Sequence, residues 1–252
     1  MSETGPGPAG HQGPHVFVPD VDAPVLDADD RHHLERVLRV RVGDGLTISD
    51  GQGRWRPAVL ADDGVLDDLG ATTSVARPTP AITIGFALVK GGRPELVVQK
   101  LTELGVDVVV PFSAERSVVQ WESAKAERHH VRLATVARQA AMQSRRCWLL
   151  TVEPLASFDE VISRPGSAMA DRGGGPPTIA HPTILVGPEG GWGADERAAA
   201  SRLVDLGDHV LRSETAAIVA GAALTMIRGG LLGESEVRRS APPSLTTEGG
   251  EH

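Results

Sequence analysis

The 252-residue chain contains no tyrosine and a single cysteine, Cys147. One thiol excludes an internal disulfide and a cysteine-built zinc site, so a reducing compartment, the cytoplasm, is expected. Without tyrosine, no phenol is available for proton transfer. Long hydrophobic runs are missing too. The longest, residues 216–223 with Leu224, Met226 and Ile227 beyond, is too short and too rich in Ala and Gly to span a bilayer. No charged-then-apolar leader opens the sequence; residues 1–14 are rich in Gly and Pro and read as a disordered tail, as does the polar stretch 234–252. His32-His33, His129-His130 and His209 have no second ligand pair at metal spacing, so no metal is expected. No internal repeat is visible.

What is present describes a globular protein. Hydrophobic residues make up 40% and charged residues 23%, and the length suits one large domain or two ordinary ones. The net charge of −8 speaks against wholesale coating of nucleic acid, but the charge is uneven. Arg31, Arg36, Arg39, Arg41, Arg54 and Arg56 stand against only Glu35, Asp44 and Asp50, and Asp62, Asp63, Asp67 and Asp68 follow at once. A local basic surface on an acidic protein points to a directed polyanion contact. Arginine enrichment alone proves nothing, because arginine replaces lysine throughout: the chain has only three lysines.

Residues 15–75 read as a small β-rich domain with one helix. Strands are predicted over 15–18, 45–49 and 55–60, and a helix around "DADDRHHLERVLRV" is capped by Asp27 or Asp29 with Leu34, Val37 and Leu38 inward. Residues 76–81, "ARPTPA", read as a linker. From 82 to 233 strands alternate with helices, which predicts an α/β domain: a parallel sheet covered on both faces. Its strands are expected at 82–89, 106–110, 148–152, 183–186 and 209–211. The helices are expected at 94–104 with Gly105 as stop, 122–144, 158–162, 194–206 and 215–231, and "ADRGGGPPTIAHP" reads as a mobile loop. Lys100 shares a helix side with apolar residues and reads as a snorkelling side chain.

Two consecutive strands end in small polar loops: "GPEGG" at 187–191 and "LRSETA" at 211–216. In open α/β sheets ligands sit beyond the carboxyl ends of the strands, so both loops are expected to line one pocket. The glycines serve a tight turn in any case. Neither a Walker A ending nor a G-x-G-x-x-G spacing is present, and Glu189 at the mouth repels phosphate. Backbone N–H groups, Ser213, Thr215, Glu189, Glu214 and Arg212 suit adenine and ribose edges beside a positive centre. Ser213 and Thr215 also offer an N-terminal cap to the helix that follows.

"LVGPEGGW", "LRSETAA", "VVQKLTELGVDVVVPFSAERS" at 97–117 and "HHLERVLRVRVGD" stand in one order along nearly the whole chain. Together they resemble the 16S ribosomal RNA uracil-N3 methyltransferase family of the SPOUT superfamily. The resemblance implies a parallel-sheet SPOUT domain with a C-terminal trefoil knot, preceded by a PUA-like RNA-binding domain, working as a homodimer on 16S rRNA in the small ribosomal subunit. It implies S-adenosylmethionine as cofactor, held by Val186, Gly187, Pro188, Glu189, Gly190, Gly191, Leu211, Arg212, Ser213, Thr215 and Ala216. RNA contact is expected from Arg31, Arg36, Arg39, Arg41, Arg116, Arg145 and Arg146. One stretch departs from the pattern: where the family shows an "EAAEQSGR"-like run, this chain reads "QAAMQSRR", so Gln139 and Met142 replace acids and Arg145 replaces glycine.

Uracil N3 carries a proton and is a poor nucleophile until that proton leaves. Something must accept it, and something must stabilise the charge spread over O2 and O4. With no tyrosine and no pocket histidine, a carboxylate, Glu214 or Glu189, is the residue type left in the loops. Arg212, or an arginine of a partner subunit, suits the anion, and the base must leave its stack to arrive. A methyltransferase acting on transfer RNA and a non-catalytic RNA-binding assembly factor both remain open on the sequence.

Overall fold

The computed structural model describes residues 5–88, 93–117 and 123–233. The expected tail over 234–252, residues 1–4 and Val89 lie outside the described residues. No helix among the described residues is long and apolar enough to cross a membrane.

The N-terminal unit is a five-stranded sheet built from β1 (His15–Phe17), β2 (Gly45–Ser49), β3 (Arg54–Leu60), β4 (Leu66–Asp67) and β5 (Thr73–Ser74), with α1 (Ala28–His32) beside it. β1 runs parallel to β2, whereas β3 pairs antiparallel with β2, β4 and β5. Val16, Leu34, Leu46, Ile48 and Leu60 form its core. Asp27 caps α1 as expected, its Oδ1 accepting from Asp30 N–H at 2.7 Å. The helix then loosens into a π turn, His33–Val37, which rotates Leu38 outward. Leu38 is 47% exposed, so only Leu34 of the expected stripe is seen to point inward. Residues 5–14 correct the expected tail: they lie along the sheet. Trp55 Nε1–H donates to Pro6 O at 3.0 Å, Gly5 N–H to Ser74 O at 3.0 Å, and Pro8 is buried. A buried indole needs an acceptor, and this segment supplies it.

The second unit contains β6 (Thr83–Ala87), α2 (Pro94–Leu104), β7 (Val108–Ser113), α3 (Ser123–Gln143), β8 (Thr151–Val152), β9 (Ala156–Ser157) and α4 (Phe158–Ile162). It continues through β10 (Ser167–Gly175), β11 (Thr183–Val186), α5 (Ala194–Ala199), β12 (Leu203–Val204) and α6 (Ser213–Arg228). Its seven strands are all parallel, in the order β12-β10-β11-β6-β7-β8 with β9 also on β7. Side chains alternate between two cores. Ile84, Phe86, Val109 and Ile184 meet α2, α3 and α6, whereas Ala87, Val110, Phe112 and Leu185 meet α4 and Trp192. Gly105 ends α2 with φ 90°, as its position after the apolar stripe predicts.

Three expectations are corrected. The supposed mobile loop begins as β10, an interior strand between β11 and β12. Its start, with Ala168 and Met169 buried, shows no polar alternation because both faces are covered. Its end approaches β12 so closely that a Cβ on Gly174 would fall 2.5 Å from Val204 N. The helix expected over 194–206 stops at Ala199, because Ala200 is extended and the chain turns into β12. The strand expected over 209–211 is irregular backbone with Val210 82% exposed. The strands expected over 82–89, 106–110 and 148–152 and the helices expected over 122–144 and 215–231 are present with different ends.

An ion pair joins the two units. Arg138 on α3 grips Asp30 of α1 through Nη2 at 2.6 Å and Nη1 at 3.1 Å, and also donates to Phe17 O at 3.1 Å. This bidentate geometry sets the N-terminal sheet against the second unit.

Candidate active site

The carboxyl ends of β10 and β11, the turn after β12 and the start of α6 enclose a cleft of about 370 Å³. Val186, Gly187, Pro188, Glu189, Gly191, Leu211, Arg212, Ser213 and Ala216 line it, as expected. Gly190, Glu214 and Thr215 are not among its lining residues. α6 begins earlier than expected, so Ser213 and Glu214 fall in its first turn. Arg212 stands at the N-cap without a side-chain cap bond, in place of the Ser213/Thr215 box. There Glu214 is correctly signed for the helix dipole.

Sequence reasoning missed a third wall. Ala170, Asp171 and Arg172 come from β10, and Asp205, Leu206 and Gly207 from the turn after β12. For Ala170, Asp171 and Arg172 the only signal was the strand hidden in "SAMADRGGG". Asp205 stiffens this wall, accepting from Gly207 N–H at 3.0 Å and Gly173 N–H at 3.2 Å. Asp171 is paired with Arg197. Arg172 and Arg212 are exposed at the mouth.

His209 and Val210 line the cleft too, which corrects the expectation of no pocket histidine, and Trp192 is a further missed residue. Its ring stacks on Phe112 with centroids 6.1 Å apart and planes 2° apart, and Nε1–H donates to Ala170 O at 3.0 Å. It thereby joins the loop after β11 to β10. The indole also occupies the space above Gly187, where a Cβ would fall 2.8 Å from it. Gly191 has φ +71°, which favours glycine. The cleft thus has apolar walls and exposed backbone, with Asp171, Arg172, Glu189, Asp205 and Arg212 also among its lining residues, and it fits a flat heterocycle with a polar tail. Among the described residues no three His, Cys, Asp or Glu side chains group as a metal site.

The arginines expected to meet RNA separate into two sets. Arg36, Arg39 and Arg41 are exposed, with no ion-pair partner among the described residues. Arg31 is shared with Glu35 at 2.9 Å. Arg54 is paired with Asp22 at 2.7 Å, and Arg56 donates to Gly70 O, Val21 O and Leu69 O, so both serve the N-terminal sheet. Arg116 is exposed beside the cleft loop, its Nη1 donating to Gly190 O at 3.1 Å.

Arg146 is corrected. It is turned inward, Nη1 donating to Thr102 O and Val106 O at 2.8 Å each, and burial pulls its pKa below the usual arginine range. Thr102 O at the end of α2 and Val106 O just beyond its Gly105 cap both receive this guanidinium. Arg145 donates to Gly13 O and buries Nη1, so it ties α3 to the N-terminal unit instead of standing free. Its φ is +55°, which explains why the family pattern has glycine there.

The structure is thus an α/β domain with a strand-end cleft, joined to a small β unit bearing exposed arginines. The sequence profile described as RNA methyltransferase domain matches residues 77–225, and that described as RNA methyltransferase PUA domain matches residues 26–64. The chain belongs to the ribosomal RNA small subunit methyltransferase E family. It is 32% identical to that protein of Mycobacterium tuberculosis over 235 residues, covering 83% of this chain and 89% of the relative. The Synechocystis protein of the same name is 30% identical, over 78% of this chain and 70% of the relative. The structure of ribosomal RNA small subunit methyltransferase E from Neisseria gonorrhoeae bound to S-adenosyl methionine superposes with TM-score 0.71 at 25% identity, covering 86% of this chain and 98% of that one. A probable rRNA-methyltransferase from Porphyromonas gingivalis gives TM-score 0.71 at 27% identity, covering 87% and 100%.

Proposed function

We propose that this chain transfers a methyl group from S-adenosylmethionine to N3 of a uridine in the 16S rRNA of the small ribosomal subunit. The observation that carries the reading is the cleft: backbone-rich loops after β11 and before α6, closed by a flat indole and free of any lysine-bearing phosphate cradle. When bound, the cofactor supplies an electrophilic methyl group on a sulfonium centre.

The chain's own residues bind, aim and move the proton. Val186, Leu206, Leu211 and Trp192 supply apolar wall, and the backbone of 187–191 and 211–213 supplies polar edges. Holding donor and acceptor in line provides most of the acceleration. Glu189, exposed on the cleft's lining, is the carboxylate assigned to the N3 proton; Glu214, outside that lining, is assigned to the helix end. Arg212 stabilises the charge that develops on uracil O2 and O4. Arg36, Arg39 and Arg41 hold RNA phosphates, with Arg116 near the cleft.

The functional unit in this reading is a homodimer in the cytoplasm. The knot is part of it: the chain leaves β11, crosses beyond β10 to β12, then returns so that Gly221 of α6 packs on Leu101 and Val106. The knotted topology implied by the resemblance requires such a return.

The test is methyl transfer from labelled cofactor to small subunits, large subunits and transfer RNA in parallel, followed by mapping of the modified nucleotide. Label at uridine N3 of 16S rRNA alone is expected. Label in transfer RNA, or cofactor binding without transfer, overturns the assignment.

A further inference from the structure

Glu196 on α5 is a buried carboxylate, 7% exposed, whose two oxygens serve two different loops. Oε2 accepts from Gly193 N–H at 2.9 Å, which closes the first turn of α5. A cap needs only that bond. Oε1 accepts from Glu115 N–H at 2.7 Å, a residue 81 positions earlier in the loop that follows β7. The next residue along, Arg116, donates from Nη1 to Gly190 O at 3.1 Å. Between these bonds Gly193 lies so close to Glu115 that a Cβ would fall 1.8 Å from its Oε2. The two loops are therefore stitched at both ends, by Glu196 at the base and by Arg116 at the rim.

We propose that Glu196 is a positioning residue that couples cofactor binding to RNA binding, by holding Arg116 against the cofactor loop. The proposal rests on the reading above, in which loop 187–193 meets the cofactor and Arg116 meets RNA. A ligand that settles this loop fixes the Gly190 carbonyl and hence the Arg116 guanidinium. RNA on Arg116 stabilises the same loop in return, because coupling between two sites is reciprocal.

The experiment measures binding of small ribosomal subunits with and without S-adenosylhomocysteine, which fills the cleft without turnover. In the wild type the ligand is expected to tighten RNA binding at least about fivefold. Glu196→Gln retains a single carboxamide oxygen, so it loses one of the two bonds and is expected to lose that enhancement while still binding the ligand. Arg116→Ala, at an exposed position, is expected to lose it as well. The double variant is expected to be no worse than Arg116→Ala, since two residues in one path are not additive. If Glu196→Gln does not fold, Arg116→Ala alone decides. An enhancement that survives Arg116→Ala, or effects that add in the double variant, overturns the proposal. A wild type that binds both ligands independently overturns it too and leaves the reading of the cleft intact. A wild type that binds neither overturns that reading.

Discussion

The indole of Trp192 covers Gly187, and any side chain at residue 187 would begin 2.8 Å from the ring. The ring is held in place, because Phe112 stacks parallel to it with centroids 6.1 Å apart and Ala170 O holds its N–H. Gly187→Ala is therefore expected to push the indole off its stack, at about 1–3 kcal/mol for overpacking. Cofactor affinity, read by calorimetry, falls with it. Gly187→Ala/Trp192→Leu is expected to recover stability because the obstructing ring is gone. A Gly187→Ala protein with wild-type melting and affinity contradicts this account of the cleft.

The two sets of arginines make opposite predictions. Arg36→Ala and Arg39→Ala remove exposed cations and are each expected to flatten the log–log salt dependence of RNA binding by about 0.7–0.9. Cofactor affinity stays as it was. Arg146→Ala leaves two carbonyls without their charged donor and is expected to cost about 2–4 kcal/mol in denaturant unfolding. Its salt slope stays with the wild type. Reversal of the pattern, with a flattened slope in Arg146→Ala alone, places the RNA on the wrong arginines.

The 187–191 loop was legible because it joins the apolar strand β11 to α5 through glycines, a local junction, whereas 211–216 lines the same cleft although the strand expected before it is irregular backbone. β10 was not legible, since a strand covered on both faces shows no alternation and its glycines read as loop. Arg145 and Arg146 show the same limit more sharply. They are adjacent, yet Arg146 turns to α2 and Arg145 to Gly13, 132 residues away. A charge pattern records that arginines are present; only the fold decides which carbonyls they reach.

His15 gives the N-terminal unit a pH dependence. It is buried, its Nε2–H 3.1 Å from Arg146 O and its Nδ1 2.8 Å from Thr47 Oγ1, and desolvation lowers its pKa from 6.5 to about 4. Between those values the unfolded chain takes up a proton that the folded chain refuses, so stability rises with pH. The loss from pH 7 to pH 4 is expected to be on the order of 3 kcal/mol from this group. His15→Gln removes the titration, so its unfolding free energy should vary less with pH over that range. Parallel curves for the two proteins would assign the acid sensitivity elsewhere.

α6 separates its apolar residues between two surfaces, and this decides where an interface test must be made. Ala217, Ala220, Gly221, Leu224 and Ile227 face inward, Ala220 with no exposure at all. Ile218, Val219, Ala222, Ala223 and Met226 repeat at helical spacing on the other side, partly open, with Met226 39% exposed. Such a stripe needs a cover, and small alanines let a second helix approach closely. In the proposed dimer the cover is the same stripe of a second copy, which also brings that copy near Arg212 at the head of α6. A charge at Ala220 tests only the fold, since it is buried within one chain and should give insoluble protein. Ala223→Glu tests the interface. It is expected to leave the melting of the N-terminal unit unchanged, to sediment as a monomer and to lose methyl transfer, because each cleft then lacks its neighbour. A wild type that sediments as a monomer at micromolar concentration with full activity removes the dimer from the mechanism. An Ala223→Glu protein that stays dimeric moves the interface to another surface.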